Sequence, residues 1–216
     1  MKLAVFDCDG TLIDGQASIC EAMEAAFAAQ GLTAPSRSAI RRAVGLSLPQ
    51  AMRTLLPDGD DDVQLGLVES YKTAFRTART DGRLSQPLFA GIVETLHALT
   101  DAGWTLGVAT GMSDRGLTHC LADNGIAALF VTLQTADRHP SKPHPAMLQA
   151  ALFEAGAQVH EAVMIGDTAY DMQMARDAGV RGIGVDWGYH HPHELTAAGA
   201  HVVATSPADL TRLLLA

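Results

Sequence analysis

Two aspartates one residue apart, Asp7 and Asp9 in Asp7-Cys8-Asp9-Gly10-Thr11, stand directly after the apolar run Leu3 to Phe6. Like charges at that spacing raise each other's proton affinity and oppose folding unless a cation lies between them or backbone donors bond them. A hard divalent cation resolves the conflict. Mg²⁺ prefers oxygen ligands, retains waters, and suits a few carboxylates plus one oxygen of an anionic ligand. Taken alone, the pair also fits a turn in which Asp9-Gly10 ends a strand. A second acidic pair, Asp167 and Asp171 in Ile165-Gly166-Asp167-Thr168-Ala169-Tyr170-Asp171, follows another apolar run and opens a helical pattern. Four residues apart on a first helical turn, both carboxylates can address the same ion, or Asp167 can cap the helix while Asp171 favours its dipole.

Two further segments can handle an anion. Thr110-Gly111-Met112-Ser113 follows the apolar run Thr105 to Ala109. A hydroxyl and an unobstructed glycine amide at the mouth of a helix can bond two phosphoryl oxygens, although an ordinary strand-to-helix cap has the same residues. Lys142 lies in Ser141-Lys142-Pro143-His144-Pro145, where prolines hold the backbone extended and position the ammonium to offset carboxylate and phosphate charge. An exposed loop lysine is the plainer alternative.

The elements that must position these residues follow from periodicity. Five short apolar runs, Leu3 to Phe6, Thr105 to Ala109, Leu129 to Leu133, Ala162 to Ile165 and Gly182 to Val185, each precede a helical pattern. That alternation predicts an α/β fold, a three-layer doubly wound parallel sheet with ligands beyond the carboxyl ends of its strands. Helices are expected over Ile92 to Ala102, Ser113 to Asn124, His144 or Pro145 to Ala155, and Thr168 to Ala178, each stopped by a following glycine. Roughly ninety residues separate the first two strands, far more than a crossover needs, so an all-helical insertion is expected. Ser47 is a candidate cap for a helix through Leu56, and Asp60 to Asp62 precede a long helix to Arg79. The expected division is a core of residues 1–14 and 87–216 with a helical cap domain of residues 15–86.

Composition narrows the partners. The chain is 48% hydrophobic with a formal net charge of -9 and only three lysines, which leaves no basic footprint for nucleic acid or an anionic membrane. Cys8, Cys20 and Cys120 are far apart without metal-ligand spacing, which fits a reducing compartment, and the short apolar start resembles neither a signal peptide nor a span. A cytoplasmic protein, monomer or homodimer, with a small-molecule partner is expected. The run Trp187-Gly188-Tyr189-His190-His191-Pro192-His193 lacks a cysteine or carboxylate pair to complete a metal site and is expected in a surface or site-edge loop.

In their order and on these strand ends, the four segments resemble motifs one to four of the haloacid dehalogenase superfamily, over nearly the whole chain. In detail they look like the phosphoglycolate phosphatase-like branch, with a helical cap inserted after the first motif. The resemblance implies a Mg²⁺-dependent phosphatase acting on a small phosphomonoester, phosphoglycolate-like or a sugar phosphate. It makes Asp7 the nucleophile that carries an aspartyl-phosphate, and Asp9 the general acid and base with a proton affinity near neutrality. Asp7, the Asp9 carbonyl and Asp167 would hold Mg²⁺, with Asp171 behind them on metal waters or Lys142. Thr110, the Gly111 amide and Lys142 would cradle the phosphoryl group, and Thr11 would orient the Asp7 loop. The chain departs from the pattern at Gly111, where asparagine is frequent, which loosens any inherited substrate assignment. Asp9 argues against a dehalogenase, and Lys72, the only lysine of the insert, against a phosphonate-cleaving enzyme. Ile19 and Leu48 argue against a phosphomutase, with Arg41 or Arg42 left to meet an anionic substrate. Intact Asp7, Asp9, Lys142 and Asp167 argue against a catalytically idle binding protein.

Overall fold

The computed structural model describes residues 1–216. Its six strands, β1 (Leu3–Phe6), β2 (Thr105–Thr110), β3 (Phe130–Thr135), β4 (Ala162–Gly166), β5 (Arg181–Val185) and β6 (Val202–Ala204), form one parallel sheet in the order β3-β2-β1-β4-β5-β6. The chain winds outward from β1 through β2 to β3, then returns to β4 on the other side of β1. The order reverses beside β1, so the crevice at the carboxyl ends of β1 and β4 is the place for a ligand.

Alternation along β1 divides the core. Ala4 and Phe6 face the side covered by α5 (Ile92–Asp101), α6 (Asp114–Asp123) and α10 (Pro207–Leu215), through residues such as Leu96, Leu117 and Leu210. Leu3 and Val5 face α7 (Ala146–Ala155) and α8 (Ala169–Asp177), through Met147, Leu148 and Met174. Beside them α9 (Pro192–Ala198) packs on α8 through Leu195 against Met172. The expected α/β sheet is present. Three local expectations are corrected. The strand placed at Leu129 to Leu133 is β3, because Leu129 closes a 3₁₀ turn over Ala127–Leu129. The helix expected from His144 or Pro145 begins at Ala146, with Pro145 in the capping position. The edge strand β6 was not expected, since three residues carry too little alternation to register.

The long segment between β1 and β2 folds as α1 (Gln16–Ala29), α2 (Arg37–Ala43), α3 (Leu48–Leu55) and α4 (Asp61–Thr80) around Met23, Phe27, Ile40, Met52 and Leu67. Asp60 caps α4 by accepting from the Val63 amide at 2.9 Å. Ser47 stands before α3 but its side chain makes no cap bond; its amide instead donates to Ser141 Oγ at 2.8 Å, across to the core. The segments entering and leaving the insert run side by side: the Asp14 amide donates to the Pro87 carbonyl at 2.8 Å and the Phe89 amide to the Leu12 carbonyl at 3.0 Å. No helix is long and apolar enough to cross a membrane.

The loop between α2 and α3 rests on the carboxyl ends of the sheet. The Arg42 carbonyl accepts from Tyr170 Oη at 3.2 Å and from His190 Nε2 at 3.2 Å, and the Arg42 guanidinium pairs with Glu194. A Cβ on Gly111 would meet the Leu46 carbonyl oxygen at 2.3 Å and that of Gly45 at 2.7 Å. The Gly111 φ is not positive, so alanine is acceptable to the backbone and only the insert forbids it. Gly111→Ala is therefore expected to push the insert off the core. Limited proteolysis of the connecting segments should accelerate by about tenfold, as for about 1.4 kcal/mol of lost seating, while unchanged proteolysis would mean that the loop yields without moving the insert.

Candidate active site

Asp7 follows β1 and Asp167 follows β4, so the two carboxylates flank the crevice where the strand order reverses. The Asp7 amide donates to the Ile165 carbonyl at 2.8 Å, which continues the β1–β4 ladder into the loop and fixes its side chain. Gly10 turns this loop with φ +84, and its missing Cβ leaves room for Asp167, whose Oδ2 would lie 2.2 Å from such an atom.

Asp7, Asp167 and Asp171 are fully buried, and one oxygen from each lies within 4.8 Å of the others. A single buried ammonium answers them: Lys142 Nζ lies 2.9 Å from Asp7 Oδ1 and 2.6 Å from Asp171 Oδ1. Asp171 Oδ2 is held by the Thr168 amide at 3.0 Å and hydroxyl at 2.6 Å in a capping box that starts α8. Asp171 thus faces Lys142, and of the three carboxylates only Asp7 lines the cavity beside them. Asp167 accepts from Thr11 Oγ1 at 2.9 Å and from the Tyr189 amide at 2.9 Å. Asp7 Oδ1 accepts from the Cys8 amide at 2.7 Å, and its Oδ2 is buried with no partner. An all-oxygen donor set with excess negative charge and an unpartnered carboxylate oxygen fits a hard divalent cation.

Burial pushes the Asp7 carboxyl up to about 6, the Lys142 charge opposing this and Asp171 adding to it. Burial, with Asp7 as neighbour, pushes Asp9 up to about 7. Burial and the Asp7 and Asp171 charges hold Asp167 well above the ordinary carboxylate range. For Lys142, burial acts to lower its proton affinity, but Asp171 and Asp7 outweigh it and hold the ammonium above its usual range. Lys142 is therefore charged throughout the physiological range.

A cavity of about 440 Å³ reaches Asp7, Asp9, Thr110 and Gly111 from the core, and is roofed by Ile19, Val44 and other residues of the insert. Thr110 is buried, and its Oγ1 accepts from the Met112 amide at 3.3 Å. The seven expected site residues thus converge, but in two sets: Asp7, Asp9, Thr110 and Gly111 line the cavity, while Lys142 bonds Asp7 and Asp171, and Asp167 lies within 4.8 Å of those two carboxylates. Asp9 takes no side-chain part in the carboxylate cluster; its Oδ1 is buried and unpartnered. Thr11 bonds Asp167 rather than acting on the Asp7 loop alone. Arg41 and Arg42 do not line the cavity; they bond Gln16 and Glu194. Lys72 reaches the cavity rim but pairs with Glu69 at 2.8 Å.

The loop after β5, expected at the surface or the edge of the site, lies at that edge, and its bracing role was not expected. Trp187 Nε1 donates to the Thr11 carbonyl at 3.1 Å and the Tyr189 amide holds Asp167, so this loop braces both acidic strand ends. Its signal was a Trp-Gly-Tyr directly after an apolar strand. His190 is buried at the seam with the insert; its Nδ1 accepts from the Ala169 amide at 3.2 Å, so Nε2 carries the proton it donates to Arg42. His191 and His193 stack on each other at 5.7 Å and gather no metal-binding partners.

Carboxylates gathered where a doubly wound sheet reverses, beside a roofed cavity with hydroxyl and amide donors, define an α/β enzyme site for an anionic ligand. The family model for haloacid dehalogenase-like hydrolases matches residues 4–185. "Probable phosphatase IndB" of Dickeya dadantii is 35% identical over 204 residues, covering 93% of this chain and 88% of that protein. A phosphoglycolate phosphatase of Vibrio parahaemolyticus is 30% identical over 223 residues, covering 99% and 96%. The crystal structure of a hydrolase from Pseudomonas syringae superposes with a TM-score of 0.87 at 27% identity, covering 99% and 98%. The chain belongs to the haloacid dehalogenase-like hydrolase family and sits among its phosphatases, where the four motifs had placed it.

The raised carboxyls make a linkage prediction. Each binds a proton in the folded state above the pH at which the unfolded chain has lost it, so its stabilising share is present below about 4 and disappears as pH rises through about 6 for Asp7 and 7 for Asp9. In chelator, urea unfolding should show stability falling between about pH 4 and about pH 7 by on the order of several kcal/mol, at about 1.4 kcal/mol per unit for each group. Asp9→Asn should flatten the slope; a rise in stability over that interval would contradict the assignment.

Proposed function

We propose that this protein is a Mg²⁺-dependent phosphatase that hydrolyses a small phosphomonoester through an aspartyl-phosphate on Asp7. The observation that carries the proposal is the pair of buried, unpartnered oxygens on one cavity: Asp7 Oδ2, on a carboxylate whose other oxygen is bonded, and Asp9 Oδ1, on a carboxyl that titrates near neutrality. The first is a nucleophile with a free lone pair. The second is an acid and base matched to a working pH near 7. The phosphoglycolate phosphatase relatives support a small substrate bearing an anionic or hydroxylated alcohol part.

In the first half-reaction Asp7 Oδ2 attacks phosphorus, the bond from phosphorus to the ester oxygen breaks, and the Asp9 carboxyl gives its proton to that oxygen, releasing the alcohol. In the second, Asp9 takes a proton from water, the water oxygen attacks phosphorus, and the bond to Asp7 breaks to release phosphate. Thr110 and the Gly111 amide bond the phosphoryl oxygens, while Lys142 holds Asp7 Oδ1 so that Oδ2 faces the substrate. A bound Mg²⁺, held by Asp7, the Asp9 carbonyl and Asp167, would neutralise phosphate charge against the acidic crevice. The insert, residues 15–86, closes on the core of residues 1–14 and 87–216 and keeps bulk water and bulky leaving groups out. Free, buried Cys8, Cys20 and Cys120 suit a cytoplasmic setting.

Rapid-quench labelling separates the two motif-one aspartates. Asp7→Asn should give no phosphoenzyme and no turnover. Asp9→Asn should lose about 10²–10⁴-fold with an alkyl ester, but with an aryl phosphate, whose leaving group needs little protonation, it should accumulate label on Asp7. Label on a serine or histidine would overturn the proposal, as would equal loss in both variants with every leaving group.

A further inference from the structure

The site as described leaves a buried polar group of its cavity unused. Gln86 Nε2 lines the same cavity as Asp9 and, like Asp9 Oδ1, is buried without a partner. The two atoms flank one small space: a Cβ built on Gly15 would lie 2.9 Å from Asp9 Oδ1 and 3.6 Å from Gln86 Nε2. A buried amide donor left unmade is costly, and in native proteins such groups generally acquire their partner from a ligand, ion or water.

Gln86 is also held in place rather than loosely exposed. Its carbonyl accepts from Asn124 Nδ2 at 3.1 Å, the Ser85 amide before it donates to Ser18 Oγ at 3.0 Å, and the Pro87 carbonyl after it accepts from Asp14 at 2.8 Å. Beyond this point the cavity wall carries Ile19, Met23, Val68, Tyr71 and Phe75 together with the basic side chains of Lys72, Arg76, Arg79 and Arg115, and Gln86 is its only side-chain amide.

We infer that Gln86 is a specificity-determining residue, donating from Nε2 to an acceptor oxygen that the leaving alcohol carries within two or three bonds of the ester oxygen protonated by Asp9. The preferred substrates are thus phosphomonoesters of alcohols that carry such an oxygen, over alcohols of equal size that lack it. This inference rests on the proposed phosphatase reaction and adds the class of its leaving group.

A matched pair of esters tests it: 2-phenoxyethyl phosphate has an ether oxygen where 3-phenylpropyl phosphate has a methylene, at nearly equal size. With Mg²⁺ present, kcat/KM should favour the phenoxyethyl ester by about tenfold, the worth of one good hydrogen bond. Gln86→Met should bring the ratio to about one, and Gln86→Glu should invert it by setting a carboxylate against the ether oxygen. The same preference in Gln86→Met would overturn the inference, and so would an equal fall for both esters, which would make Gln86 a positioning residue for Asp9. If wild type hydrolyses phenyl phosphate but neither ester of the pair, this inference alone fails. If it hydrolyses no ester at all, the phosphatase reading fails with it.

Discussion

Three buried carboxylates, Asp7, Asp167 and Asp171, share one buried ammonium, Lys142. The rest of the structure can be read as the means of tolerating that imbalance. An isolated buried carboxylate is too costly to keep ionised, so each must be bonded, paired or protonated. Asp171 is fully paired by Thr168 and Lys142, and Asp167 accepts from Thr11 and Tyr189. Asp7 is paired on one oxygen only. The remaining negative charge has no protein partner, and the cluster is able to hold a metal ion.

The parallel sheet supplies the geometry. Because β1 and β4 are neighbours, the residues that follow them emerge side by side, and backbone bonding from Asp7 to Ile165 sets their separation. The loop after β5 then reaches over both through Trp187 and Tyr189. The insert seals the assembly from above, with the Arg42 carbonyl seated on Tyr170 and His190 and the Gly45–Leu46 backbone seated on Gly111. A side chain larger than hydrogen at position 111 would hold the two apart, which gives the departure from asparagine a physical reason.

What the sequence made legible was local. An apolar run followed at once by Asp7-Cys8-Asp9-Gly10 specifies a strand and the acidic turn that ends it, and a second such run specifies the helix start near Asp167, although the cap there is Thr168 and not Asp167. The order of these pieces along the chain indicated one shared sheet end. What stayed hidden depends on distant contacts. The bond from Lys142 to Asp171 joins residues far apart in sequence; the family resemblance offered it as one of two roles for Asp171, and nothing local chooses between them. Gln86 looks like any polar residue beside a proline until the two connecting segments are seen to pair. His190, one of three similar histidines, is distinguished from His191 and His193 only by its burial beneath the insert.

The central proposal is that the acidic crevice binds one Mg²⁺ ion, and calorimetric titration of the chelator-stripped protein with Mg²⁺ tests it directly. About one ion should bind per chain near neutral pH, with release of protons from the raised carboxyls and a higher unfolding temperature. Asp167→Asn should weaken binding by about 10–100-fold or more. Absence of Mg²⁺ binding, or binding unaffected by Asp167→Asn, would contradict the account.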